Sequence, residues 1–153
     1  LVKEDGARRD APAFPQMRDR AAERAWQDFA SDFFFSPPSG SVTTLKDGRM
    51  YLLPERLPAL VGRVLRAGVE LGRFDGKRFT PSHALAMSAK AENVRRTAPL
   101  DDTACMRWLR GETFASSMPE GWGIATWRGY PVGLAKSAGG TLKNHYPKGL
   151  REH

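Results

Sequence analysis

The residues best equipped for chemistry gather near the C-terminal end of the chain. Lys136, Lys143, Asn144, His145, Tyr146, Lys148 and Arg151 bring cations, an amide, an imidazole and a phenol into one stretch whose Gly and Pro residues limit its conformations. From Gly121 to His153, Lys and Arg number five against the single Glu152. Lysines so placed meet phosphates as point charges, and an exposed Tyr146 ring could stack on an unpaired base, worth about 1–3 kcal/mol. Tyr146 and Asn144 equally suit closure of the fold, the ring packing on the core and the amide tying down the terminal loop. Both roles hold together if that loop is itself the platform. An ordinary hairpin with a basic tail is the plainer alternative. Lys77 and Arg78, beside the Asp75-Gly76 turn, are candidates for a second phosphate contact.

Other chemistries find little support. A catalytic thiol needs exposure and a lowered pKa, whereas Cys105 shares a helical face with Trp108 and Leu109 and reads as core. His83, His145 and His153 are too few and too scattered, with one Cys, for a zinc site. His83 falls in the first turn of a helix, where a ring nitrogen could tie down the adjoining loop. Asp101 and Asp102 suit a helix N-terminus. Gly68, Gly72 and Gly76 lack the G-x-G-x-x-G order of a dinucleotide loop. The expectation is a chain that binds, with no catalytic residue, metal or cofactor of its own.

Bulk properties agree with binding to a polyanion. The 153 residues fit one domain or two small lobes, and 41% hydrophobic with 27% charged content is that of a folded chain. The net charge of +7 is uneven: Ser36 to Leu100 carries 11 basic and 5 acidic residues, while Leu1 to Phe35 carries 6 and 7. Arg outnumbers Lys 17 to 7, which favours bidentate phosphate contacts, although an Arg- and Ala-rich coding composition gives the same count. No apolar run approaches the ~20 residues needed to span a bilayer. A lone cysteine suits a reducing compartment, so a cytoplasmic setting is expected. The start, LVKEDGARRD, has neither Met nor a signal-peptide core, and reads as a cut within a longer chain.

These residues need elements to position them. Two apolar runs, Trp122 to Trp127 and Tyr130 to Ala135, meet at Arg128-Gly129 and predict a tight hairpin, with a second turn at Gly139-Gly140. Upstream, 1–16 is polar and aperiodic and reads as a linker. From Arg18, the spacing of Ala22, Ala25, Trp26, Phe29 and Phe33 predicts one apolar helical face. Pro37 to Gly40 break that helix, and Asp47-Gly48 and Asp75-Gly76 mark two more hairpins. Leu57, Leu60 and Val61 suit a short helical turn, and Val64 to Phe74 strand material interrupted at Gly68 and Gly72. Thr80 is the expected cap, and Pro81 the first residue, of a helix through TPSHALAMSAK. A second capped helix follows Asp101 or Asp102 and stops at Gly111. Short strands with few peripheral helices indicate an α+β fold, best as a small mixed or antiparallel β barrel.

LKNHYPKGLR, preceded by GYPVGLAK, resembles the signature of the PUA-like C-terminal region of RsmF-like proteins, of the Sun/Fmu family of rRNA cytosine 5-methyltransferases. RVLRAGVELGRFDGKRFTPSHALAM and MRWLRGETF are similar to the family segments upstream, so the likeness covers roughly Met50 to Arg151. Ala135 and Thr80 depart from the Gly and Glu expected there. The resemblance implies a PUA-like pseudobarrel that binds structured RNA, rRNA above all. It also implies S-adenosylmethionine and catalytic cysteines in a catalytic domain outside this sequence, which this region would serve as partner. On that reading 1–16 is the linker, 17–92 a first C-terminal segment and 93–153 the PUA-like segment, sharing one core with the first. A stand-alone RNA-binding protein, or a module docking on its own catalytic domain through the helix around Trp26 and Phe29, are the alternatives.

Overall fold

The structure, a computed structural model, describes residues 19–53 and 68–152. The expected linker over 1–16, the turn at Leu57, Leu60 and Val61, the first part of the Val64 run and His153 lie outside the described residues. The chain divides into two compact units, Leu1–Gln27 with Pro38–Thr80, and Asp28–Pro37 with Pro81–His153.

Helix α1, Arg20–Phe33, contributes to both units. Asp19 caps it, its Oδ1 accepting from the Ala22 amide at 3.0 Å, and its apolar face buries Ala22, Trp26 and Phe33 as the spacing predicts, with Ala30 buried in addition and Ala25 and Phe29 half-buried. In the first unit, β1 (Ser41–Thr44), β2 (Arg49–Leu53), β3 (Val69–Phe74) and β4 (Phe79–Pro81) form a sheet in sequence order. Its β1–β2 turn is fixed by Gly48, whose φ of +91° no side chain adopts easily and where a Cβ would run into the Phe74 carbonyl. Met50, Leu53 and Leu71 are buried in this unit, and the Trp26 and Phe79 rings meet edge-on at 5.5 Å.

The second unit holds α2 (His83–Ser88), β5 (Thr97–Leu100), α3 (Asp102–Leu109), β6 (Phe114–Ala115), β7 (Gly121–Trp127), β8 (Tyr130–Ala138) and β9 (Thr141–Asn144). Its sheet runs β5-β7-β8-β9-β6, parallel at β5–β7 and antiparallel elsewhere. The sheet curls into a half-barrel: edge strands β5 and β6 line one groove of about 300 Å³. The α+β, PUA-like expectation holds. Inside the curl, Trp108, Met118, Ala125, Ala135 and Leu142 form the core, with Phe114, Val132 and Tyr146 packed against it.

Two local expectations change. Ser82, not Thr80, caps α2, its Oγ accepting from the Leu85 amide at 3.1 Å, and Pro81 closes strand β4 instead of opening the helix. Leu85 lies three positions beyond Ser82, the reach a cap needs, whereas Thr80 lies within strand β4. The α3 cap resolves to Asp101, whose Oδ1 takes the Ala104 amide at 2.8 Å, and Gly111 ends that helix at φ +91°.

Candidate nucleic-acid interface

Period-two alternation sorts the KNHY string onto two faces. Leu142, Asn144 and Tyr146 turn toward the core, and Lys143 and His145 turn away from it. The Asn144 amide is fully occupied. Its Nδ2 donates to the Trp108 and Glu112 carbonyls at 2.9 and 2.8 Å, and its Oδ1 accepts from the Tyr146 amide at 2.8 Å. Tyr146 is half-buried on the core cluster, edge-on to His83 at 5.5 Å. Arg151 lies over Gly111 and donates through Nε to the Tyr146 carbonyl at 3.2 Å. All three side chains are engaged within the fold, the alternative role that Asn144 and Tyr146 suit by type, whereas a phosphate contact is the expectation for Arg151.

On the outward side the hairpin register assembles a different group. Trp122 on β7 faces Lys136 on β8, and Lys136 faces Lys143 on β9. The Lys136 ammonium sits 5.0 Å from the Trp122 ring centroid, a cation–π contact, and the His145 ring meets the same indole edge-on at 4.7 Å. Lys143 and His145 are exposed, Trp122 and Lys136 half-buried. Directly opposed like charges destabilise a sheet. Yet neither lysine has a carboxylate partner within 4 Å among the described residues. Desolvation against its neighbours comes first, and the positive charges of Lys136, Lys143 and Arg151 add to it, in holding the His145 imidazole below its ordinary pKa.

Arg96 fixes the strand beneath this group. Its guanidinium donates to the Trp122 carbonyl at 3.2 Å and pairs with Asp32 at 2.8 Å, lowering the Asp32 pKa chiefly through that hydrogen bond. A Cβ at Gly123 would collide with the Arg96 carbonyl, so the close approach requires glycine.

Trp122 is the residue that sequence reasoning passed over as a site. Its place opposite Lys136 depends on a bulge: Thr126 pairs with Pro131 and Ala125 with Gly133, leaving Val132 extra. Lys148 is exposed in a terminal 3₁₀ turn, Lys148–Leu150. Lys77 and Arg78 are exposed in the first unit, their amides both donating to Asp75 Oδ1 at 2.8 Å, and belong to a separate turn. His83 does not tie down a loop through Nδ1, which is buried without a hydrogen-bond partner among the described residues, and burial lowers its pKa. Cys105 is buried, which pushes its thiol up, away from a nucleophile's range. No group of three or more His, Cys, Asp or Glu able to hold a metal occurs among the described residues.

Residues 95–152 match the PUA domain of methyltransferase RsmF, and residues 28–88 match the first C-terminal domain of the RsmF rRNA methyltransferase. The chain belongs to the RsmF family. It is similar to proteins named ribosomal RNA small subunit methyltransferase F: 28% identical to that of Shewanella loihica over 86% of this chain. The figures are 26% over 98% of the chain for Shewanella frigidimarina and 30% over 73% for Klebsiella pneumoniae. The aligned parts make up 28%, 34% and 24% of those relatives, so the chain spans about a third of their length or less. Trp122, Lys136, Lys143 and His145 all lie within the RsmF PUA match.

Proposed function

We propose that this RsmF region grips structured rRNA and presents it to a methyltransferase domain outside the residues of this sequence. That domain would bind S-adenosylmethionine, extrude one base and methylate it at cytosine C5, the chemistry the family resemblance implies. The observation that carries the reading is the Trp122–Lys136–Lys143–His145 group, a cluster of cations beside an indole with no carboxylate within 4 Å of either lysine among the described residues. RNA supplies the two things such a group accepts, phosphate charge and flat rings. The relatives' names, small-subunit rRNA methyltransferases, support rRNA as the partner. The proposed setting is the cytoplasm, and no helix among the described residues is long and apolar enough to cross a membrane.

Lys148, exposed in the terminal turn, and Lys77 with Arg78, exposed on the first unit, are proposed as further phosphate contacts. The test is the affinity of the 153-residue chain for a structured small-subunit rRNA fragment across a salt series, compared with Lys136→Ala/Lys143→Ala. Wild type should weaken steeply with salt, and the double variant should lose about two from the log–log slope. Identical slopes would remove this surface from RNA binding.

A further inference from the structure

Resting on the RNA-binding reading, we propose that Lys136, Lys143 and His145 form a seat for one RNA backbone phosphate, and that seating it draws a proton from solvent onto the His145 imidazole. The seat is built before any ligand arrives. Lys136 and Lys143 stand directly opposite on adjacent strands, an arrangement that repels unless an anion lies between them. Trp122 holds the Lys136 ammonium at 5.0 Å by cation–π attraction, and the same indole orients the His145 ring at 4.7 Å. The His145 amide donates to the Leu134 carbonyl at 3.1 Å, which extends the β8–β9 ladder and fixes the residue beside both lysines.

The groups around His145 decide its response. Lys136 faces it from β8, Lys143 from β9 and Arg151 from the terminal turn, all positive, while β7 contributes the neutral Trp122. In the free chain partial desolvation and these charges hold the imidazole below its ordinary pKa. A phosphodiester carries one negative charge, so its arrival offsets part of this positive field and shifts the equilibrium toward the imidazolium. The imidazolium then adds a charged hydrogen-bond donor to the two ammonium groups. One proton moves from solvent to a ring nitrogen, and no covalent bond changes. The sign follows: affinity is greatest below the free-chain pKa of His145 and declines as pH rises through the higher, RNA-bound value.

The experiment titrates the 153-residue chain with a structured rRNA fragment at fixed ionic strength from about pH 5.5 to about pH 8.5, following the His145 ring by NMR in parallel. Wild type should bind roughly tenfold more tightly at the acid end, the factor for a pKa displaced by one unit. The His145 pKa should rise when RNA is added. His145→Gln should show a flat profile at or below the wild-type alkaline affinity. Wild-type affinity that ignores pH, a His145 pKa unmoved by RNA, or a His145→Gln variant that keeps the acid response would each overturn the proposal while RNA binding stands. Absence of binding at every pH would instead overturn the RNA reading, and this inference with it. Comparing 5′-hydroxyl with 5′-phosphate RNA, and adding inorganic phosphate, separates backbone from terminal phosphate. A requirement for the 5′-phosphate, or equal competition by inorganic phosphate, would overturn the backbone assignment.

Discussion

At the turn end of the β7–β8 hairpin the Arg128 guanidinium lies 4.5 Å from the centroid of the Trp127 ring, and at the far end the Lys136 ammonium lies 5.0 Å from that of Trp122. Each end pairs a cationic side chain with a tryptophan. At the turn, Asp102 at the start of α3 accepts from Trp127 Nε1 at 2.8 Å and pairs with Arg128 at 3.3 Å. Its carboxyl is held below the usual range, mainly by the Trp127 hydrogen bond. At the far end a second lysine and a histidine stand where a carboxylate would be needed. A cation–aromatic pair that is neutralised within the fold acts as a staple. One that is left uncompensated, at a cost in cross-strand repulsion, is poised for an anion from outside.

The largest effect should come from making the far end resemble the turn end. Lys143→Glu sets a carboxylate opposite Lys136, forming a cross-strand pair that stabilises by a few tenths of a kcal/mol. It also places a negative charge in the phosphate seat, so rRNA affinity should fall about a hundredfold. Thermal melting and filter binding should therefore move in opposite directions; a joint loss of stability and binding would assign Lys143 to the fold.

Trp122→Ala should come next. Loss of the cation–π contact, about 0.5–1 kcal/mol, frees Lys136 and should weaken RNA binding roughly two- to fivefold. Trp122→Phe should recover most of it, which a merely steric role for the indole would not require. The smallest effect is expected at the turn. Asp102→Asn should lower the thermal midpoint slightly and leave rRNA affinity within about twofold, the usual range for a surface change away from a site. A larger loss of RNA affinity would extend the interface to both ends of the hairpin.

Much of this contrast was legible in the chain itself. Arg128-Gly129 and Gly139-Gly140 mark the two turns, and both pairs take positive φ in the structure at Arg128 (+52°), Gly129 (+84°), Gly139 (+60°) and Gly140 (+80°). The candidate residues Lys136, Lys143 and His145 meet on one face. Asn144 and Tyr146, from the same string, turn the other way, a division that strand alternation alone foretells once β9 is placed. Lys77 and Arg78 belong to the first unit, and charge along a sequence carries no information on which unit a turn belongs to.

The sequence by itself determined the elements: strands separated by glycine turns, a helix begun by an Asp cap at Asp101 or Asp102, and a basic, aromatic C-terminal stretch. Local sterics and hydrogen bonding suffice for each of these. The tertiary structure alone decided what faces what. An uninterrupted ladder from the Arg128-Gly129 turn would set Trp122 opposite Ala135; the bulge at Val132 moves it opposite Lys136. That bulge is held from across the core, where Trp108 donates to the Val132 carbonyl at 3.2 Å and packs against Gly133, leaving its Cβ position 3.0 Å from the indole nitrogen at φ +153°. A one-residue shift exchanges the faces of a strand, and the contact that sets it joins residues 24 apart in sequence.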